Sequence, residues 1–470
     1  MSDLTYLPAA EMARLIRSRR ISPVELLEAH LERAENLHPQ LNAIVQLDRE
    51  GALRQARAAE KAMARGEPLG PLHGVPVTIK SSIEVAELRW EAGTKLRAGY
   101  VAQRDAAVVA RLRAAGAVIL GVTNVPEMLL AYDTENVLYG RTNNPWDFSR
   151  SPGGSSGGEA ATIAAGCSAA GVGSDGGGSI RVPAHFCGIC GLKPTPGRIP
   201  ATGHFPPCTG PFALLGVVGP MARTVQDLEL LFVAMAGPEA GDASAAPVPL
   251  RRLSQSEVRR MRIGYFEDDG MTPVTPETRA AVRAAARALE EQGFAVEPFR
   301  PEGLEQAREL WWVFFGLAGG LMLGPMLAGN DAELSPTLQE FVATVAAEPP
   351  LTADRLLNAW VERDQCRSHL LEQMEKFPVL LCPVSAVPAF RHGEGSWSAS
   401  EKGVSYLNAM RYSQWFNLTG NPAVVVPLGR SAEGLPIGVQ IVARPYEEEV
   451  ALEVAKKVEE VRGEWQKPPV

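Results

Sequence analysis

The sequence predicts an α/β protein: a single large domain built on a central, twisted, mixed β-sheet covered by helices on both faces. Short apolar runs such as Val75–Ile79 and Ala117–Val122 read as buried strands, and amphipathic helical segments alternate with them. Composition agrees, with 46% hydrophobic and 21% charged residues in a 470-residue chain, an ordinary globular balance with ample core. A net charge of −8 argues against a nucleic-acid binder, which would carry a basic stripe.

Taken in order, Ser22-Pro-Val-Glu25 is a capping box with proline at the first helical position. Val24, Leu27, Leu31 and Ala34 follow at helical spacing, so a helix runs to about Leu37. A second helix covers roughly 49–65 and completes an N-terminal helical segment over about 1–65. Val75–Lys80 is a short buried strand ending in a lysine, within a core block of about 70–225. Asp105 is placed to cap a helix through Ala115, Gly116 stops it, and Ala117–Val122 is the next strand. The Gly-, Ala-, Asp- and Pro-rich stretch 236–256 reads as a surface loop between two halves. Beyond it come a strand at Arg262–Phe266, a helix capped at Thr275-Pro276 that ends at Gly293, and a strand at Phe294–Phe299. Ala423–Leu428 and Ile437–Val442 are the last strands, and a helix from about Glu447 to Glu460 closes the chain.

Leu310–Ala328 is 19 residues without a charge, long enough to cross a bilayer. Its glycines and proline, the strands on both sides of it and the lack of flanking basic clusters favour a buried helix lining an apolar pocket in the region 300–375. No spanning segment is expected. The N-terminus lacks a basic stretch followed by an apolar run, so no secretory signal is expected and the protein reads as cytoplasmic. Six cysteines stand at 167, 187, 190, 208, 366 and 382, and only Cys187 and Cys190 form a CxxC. With no second pair at zinc spacing they read as buried thiols, and no metal is expected.

Two glycine-rich stretches carry the chemistry, Ser151–Gly158 and Gly173–Arg181. Such density makes poor helix or strand interior but suits backbone that bends sharply and approaches a ligand closely. Gly176, Gly177 and Gly178 lead into Ser179, so bare N–H groups can converge beside a hydroxyl, as an oxyanion hole next to a nucleophile requires. Neither phosphate-binding fingerprint fits these stretches. A serine nucleophile needs a base. None of the seven histidines stands in a nucleophile-elbow context, and only His185 is close in sequence to Ser179. Lys80, at the end of an apolar strand, is the other candidate, provided burial keeps its amine neutral. On its own it also reads as a surface lysine.

Gly74-Val-Pro-Val-Thr-Ile-Lys80, the Gly-Gly-Ser-Ser-Gly-Gly at 153–158 and Gly176-Gly-Gly-Ser-Ile-Arg-Val-Pro183 resemble the three defining blocks of the amidase signature family. The spacings match as well, 75 residues from Lys80 to Ser155 and 24 from Ser155 to Ser179. Gly188–Thr195, Gly219–Thr224 and Gly434–Gln440 extend the resemblance over nearly the whole chain. It implies a Ser–cis-Ser–Lys triad: Ser179 as nucleophile, Ser155 after a cis bond from Gly154 as proton relay, and Lys80 as base. It also implies an oxyanion site at the N–H groups of Gly176, Gly177, Gly178 and Ser179. Ser156 and Asp175 read either as supports of the loops or as simple turn residues, and Arg181 as a structural ion-pair or hydrogen-bond partner. The chain departs from the family at Ser81, where an acidic residue is common, and at Ser174 and Gly176, which leaves the shape of the acyl site open.

Asn124-Val-Pro126, Tyr132-Asp133, Asn136 and Gly140–Trp146 look most similar to the fatty-acid amide hydrolase branch. This resemblance and the apolar 310–328 stretch imply an apolar acyl or aryl amide as substrate, with esters and carbamates as side substrates. Leu129, Trp311, Trp312 and Phe315 are the pocket candidates, and the aromatics read equally as core. No metal or organic cofactor is implied, and a monomer or homodimer is expected. Two alternatives stand beside this reading. One is the glutaminase subunit of a tRNA-dependent amidotransferase, and the other a membrane-associated, non-catalytic protein.

Overall fold

Eleven strands of the described residues form one continuous mixed sheet in the computed structural model, which describes residues 4–399 and 402–470. Residues 1–3, the start of the expected N-terminal segment, lie outside the described residues. In chain order the first six strands are β1 (Ile44–Leu47), β2 (Pro76–Lys80), β3 (Val118–Thr123), β4 (Ala170–Asp175), β5 (Cys190–Lys193) and β6 (Val217–Ala222). The remaining five are β7 (Arg262–Tyr265), β8 (Ala295–Pro298), β9 (Val379–Pro383), β10 (Ala423–Arg430) and β11 (Pro436–Ala443). Across the sheet they lie in the order β1-β3-β2-β4-β6-β5-β10-β11-β9-β7-β8. β2 runs parallel to β3 and β4, and β7 runs parallel to β8 and β9. The other neighbours are antiparallel.

Helices cover both faces, which is why the strands are apolar along their length rather than alternating. On β2, Val77 and Ile79 enter a core completed by the helices Val225–Met235, Pro276–Glu291 and Glu448–Arg462. The pleat turns Thr78 and Lys80 to the opposite face. There the helices Pro23–Leu41, Arg49–Ala64, Gly157–Ala164 and Arg181–Cys187 pack around a second apolar cluster. A third cluster joins Ala307–Ala318 to the helices Ala353–Lys376 and Arg411–Leu418.

The predicted elements form close to their expected limits. The capping box at Ser22 is present, and that helix continues to Leu41, ending at Asn42 in the left-handed region (φ 45°). Thr275 caps the Pro276–Glu291 helix as expected. Asp105 does not cap its helix, which begins at Ala107 without a side-chain cap. Its carboxylate is drawn instead to the Ala86 N–H at 2.9 Å and the Arg113 guanidinium at 2.8 Å. Residues 236–254 form no helix or strand, as the loop reading requires, and Gln255–Arg259 is a short helix capped by Ser254. The loop does not divide the fold, because β10, after it in the chain, pairs with β5 before it.

The apolar 310–328 stretch is helical from Ala307 to Leu327, with a π-helical turn at Val313–Ala318. Among the described residues it is the one helix long and apolar enough to cross a membrane, and 56% of its most apolar window is buried inside the protein.

Candidate active site

β2 and β4 are parallel neighbours, so Lys80 and Asp175, their last residues, reach the same end of the sheet. That end is where open α/β sheets place functional groups. The glycine-rich loop 176–179 follows β4 directly and leads into the Arg181–Cys187 helix.

Lys80 is wholly buried. Its Nζ donates to Ser155 Oγ at 2.7 Å and to Ser174 Oγ at 3.0 Å, with the Ser174 carbonyl at 3.4 Å. The Gly154–Ser155 peptide bond is cis. Gly154 permits the chain to pass there, since a Cβ would lie 2.6 Å from the carbonyl oxygens of Ala131 and Asp133. Ser156 ties the two glycine-rich stretches together: its hydroxyl donates to the Ser174 carbonyl at 3.2 Å and accepts the Ser174 N–H at 3.3 Å. Ser179 is 9% exposed, and its Oγ makes no hydrogen bond among the described residues.

The loop is pinned by its carbonyls. Trp311 Nε1 donates to the Gly176 carbonyl and the Tyr132 hydroxyl to the Gly177 carbonyl, each at 2.8 Å. The N–H groups of Gly176, Gly177 and Ser179 have no acceptor among the described residues. Gly178 differs, because its N–H donates to Asp175 Oδ1 at 2.7 Å and is not free for an oxyanion. Its own requirement is conformational: φ is 127°, in the left-handed region, and a Cβ would lie 2.9 Å from Ser413.

Asp175 and Arg181 form a bidentate pair beneath the loop, with both contacts at 3.0 Å and neither side chain exposed. Asn417 Nδ2 and the N–H of Ile180 also donate to the Asp175 carboxylate. Burial alone would raise the pKa of Asp175, but the Arg181 guanidinium and these donors hold its carboxyl well below the usual carboxylate range.

Burial pushes the Lys80 amine down to about 7, against the opposing pull of Asp175, Cys208 and Glu159. Glu159 is wholly buried too. Both oxygens of its carboxyl accept threonine hydroxyls, one from Thr78 and the other from Thr123 at 2.8 Å. It seats over Gly171, where a Cβ would stand 1.8 Å from Glu159 Oε1. Burial pushes this carboxyl up to about 8, opposed by the two hydroxyls and by Lys80.

His185, the other base candidate, is committed elsewhere: Nδ1 accepts the Gly438 N–H at 2.7 Å and Nε2 lies 3.2 Å from the Val387 carbonyl. Leu129, Trp311, Trp312 and Phe315 all border a cleft of about 440 Å³ that opens beside Ser179. Tyr132, Phe341, Phe390 and Tyr406 complete its aromatic lining. Sequence reasoning missed Glu159 and Thr123, and it treated Ser174 only as a departure from the family. Glu159 carried a signal, as the single charge in the otherwise small and apolar run Gly157–Ala164. Phe341, Phe390 and Tyr406 carried none, because only the fold brings them to the cleft.

The amidase family profile matches residues 25–452. The chain is 35% identical to an acylamidase of Rhodococcus erythropolis, over 99% of this chain and 98% of that protein. It is 33% identical to a glutamyl-tRNA(Gln) amidotransferase subunit of Carboxydothermus hydrogenoformans, over 97% and 98% of the two chains. The solved structure of a bacterial aryl acylamidase of the amidase signature family superposes with a TM-score of 0.87 at 26% identity, covering 98% of this chain and 97% of that one. The protein is therefore a member of the amidase signature family, an enzyme that hydrolyses amides.

Proposed function

We propose that the protein is a serine amidase that cleaves amides of apolar acyl groups through an acyl-enzyme on Ser179. The observation that carries this reading is the buried Lys80 amine, pushed down to about 7 and 2.7 Å from Ser155 Oγ. An amine near neutrality can accept a proton at physiological pH, which an ordinary lysine cannot. Neutral Lys80 takes the proton of Ser155, Ser155 takes that of Ser179, and Ser179 Oγ attacks the amide carbon. The N–H groups of Gly176, Gly177 and Ser179 are the free donors for the oxyanion. Their carbonyl-side anchors, Trp311 and Tyr132, fix the loop before the substrate arrives, so little reorganisation is needed as charge develops. On collapse the proton returns through Ser155 to the departing nitrogen, and water then repeats the sequence on the acyl-enzyme. Esters and carbamates share every step but the leaving group and are side substrates on this reading.

The aromatic lining of the cleft supports an apolar acyl group. A second reading, the glutaminase component of an amidotransferase, is favoured by the 33% identity to the Carboxydothermus protein. Against it stands the aromatic part of the cleft lining, although Asp133, Glu135, Arg141, Glu340 and Glu394 border the cleft as well. The test is amine release from arylalkyl amides, fatty amides and glutamine, with Ser179→Ala as control. Turnover of the apolar amides, lost in Ser179→Ala, is the expected result. Turnover confined to glutamine would overturn the apolar assignment.

A further inference from the structure

Ser179 stands at the junction of two cavities of unequal size. The larger is the aromatic cleft of about 440 Å³. The smaller, about 40 Å³, is walled by Met128, Cys208, Phe212 and Leu323. Leu129, Leu130 and Phe315 border both and separate them. Phe315 is held there by stacking on Trp311 at 4.6 Å and by a tilted contact with Phe212 at 5.5 Å. Two further residues fix the orientation: Ser155 and Ser174 border only the small cavity, whereas Tyr132 and Trp311 border only the large one. Gly176 lies on the small side and Gly177 on the large side, so their free N–H groups straddle the boundary beside Ser179.

We propose that the small cavity receives the leaving amine and the aromatic cleft receives the acyl group, so that the substrates are primary amides of bulky apolar acids rather than anilides of small ones. This rests on the Ser179 reading above. When the tetrahedral intermediate collapses, the C–N bond breaks and its electron pair stays on nitrogen. That nitrogen takes the proton of Ser155 Oγ, which recovers one from the Lys80 ammonium, leaving the lysine neutral and Ser179 acylated. Proton transfer of this kind needs heavy atoms within about 2.6–3.2 Å. The departing nitrogen must therefore lie on the Ser155 side, in the small cavity. Its volume of about 40 Å³ exceeds the roughly 10–15 Å³ that one water needs and falls well short of the roughly 150 Å³ of a cavity that holds benzene. Ammonia fits there and a phenyl ring does not. The acyl substituent, on the other side of the carbonyl carbon, faces Trp311 and Trp312 in a cleft within the roughly 300–1,000 Å³ range of small-molecule sites.

The experiment compares kcat/KM for phenylacetamide and 3-phenylpropionamide, whose leaving group is ammonia, with acetanilide, whose acyl group is small and whose amine is aromatic. Wild type is expected to favour the primary amides at least tenfold, although aniline is intrinsically the better leaving group. Phe212→Ala, which opens the small cavity, should raise the anilide-to-primary-amide ratio at least tenfold. Leu323→Ala should move it in the same direction should Phe212→Ala not fold. Trp312→Ala, in the other cavity, should weaken discrimination among acyl groups without raising that ratio. A wild-type preference for acetanilide, or a ratio indifferent to both small-cavity variants, would overturn the assignment while leaving the Ser179 chemistry standing. No turnover of any of the three would overturn the apolar-acyl reading and the assignment with it.

Discussion

Lys80 and Glu159 are both wholly buried on one face of the sheet, linked by Thr123, which sits opposite Lys80 in the β2–β3 register and donates its hydroxyl to Glu159 at 2.8 Å. The carboxyl is thereby part of the lysine's electrostatic surroundings. The groups facing this pair are Thr78 and Thr123 on the Glu159 side and Asp175, Cys208 and His204 on the Lys80 side. With burial pushing its carboxyl up to about 8, Glu159 is mostly protonated while Lys80 titrates through about 7, so it places little charge beside the amine there. Glu159→Gln, nearly isosteric with the protonated acid, should therefore leave the acid limb of the kcat/KM profile in place. A limb shifted to lower pH would contradict this and show an anionic Glu159 beside Lys80.

The pH dependence of the wild type follows from the sign of the lysine shift. Burial lowers the Lys80 amine to about 7, and only its neutral form is a base. Activity should therefore be lost as pH falls through about 7 and should level off above it. Lys80→Ala should lower kcat/KM by about 10²–10⁴-fold, the usual worth of a positioned base, and should abolish that limb. Hydrolysis rates measured from pH 5 to about pH 9 check both statements.

Asp175 and Arg181 carry stability as well as loop geometry. Arg181→Ala leaves a buried carboxylate without its counter-charge, and breaking one side of a buried pair costs about 3–5 kcal/mol. Urea unfolding should show a loss of that order. Replacement of both residues by apolar ones should cost less stability than Arg181→Ala alone, yet still abolish activity, since Asp175 also holds the Gly178 N–H.

Gly177 is required by close approach rather than by φ. A Cβ there would lie 2.5 Å from the Trp311 ring. Gly177→Ala should push Trp311 off the Gly176 carbonyl and misplace the loop by a fraction of an ångström. A displacement near 1 Å can cost about 10²-fold in rate, so kcat should fall by that order. The stability loss should stay within about 1–3 kcal/mol, the usual cost of overpacking. Parallel kinetics and thermal unfolding separate the two effects.

Much of the fold was legible because its signals are local. Ser22 and Thr275 cap the helices their sequences announce, and the apolar runs at β2, β3, β10 and β11 have nowhere to go but a sheet covered on both faces. Asp105 misled because an N-cap competes with tertiary partners that sequence does not display, here Ala86 and Arg113. At the site, the glycine-rich stretches and the strand-ending lysine pointed to the residues that the parallel pairing of β2 and β4 brings together. The commitment of Gly178 to Asp175 was not legible, since it depends on the angle at which the chain leaves β4. Nor was the inequality of the two cavities, which arises from Phe212, Phe315 and Leu323 meeting across more than a hundred residues of chain.

The most direct test of the central claim is to treat the protein with a fluorophosphonate and locate the adduct by mass spectrometry, with Lys80→Ala and Ser155→Ala alongside. A single adduct on Ser179, formed far more slowly in both variants, is expected. An adduct on another residue, or Ser179 labelling indifferent to Lys80 and Ser155, would contradict that claim.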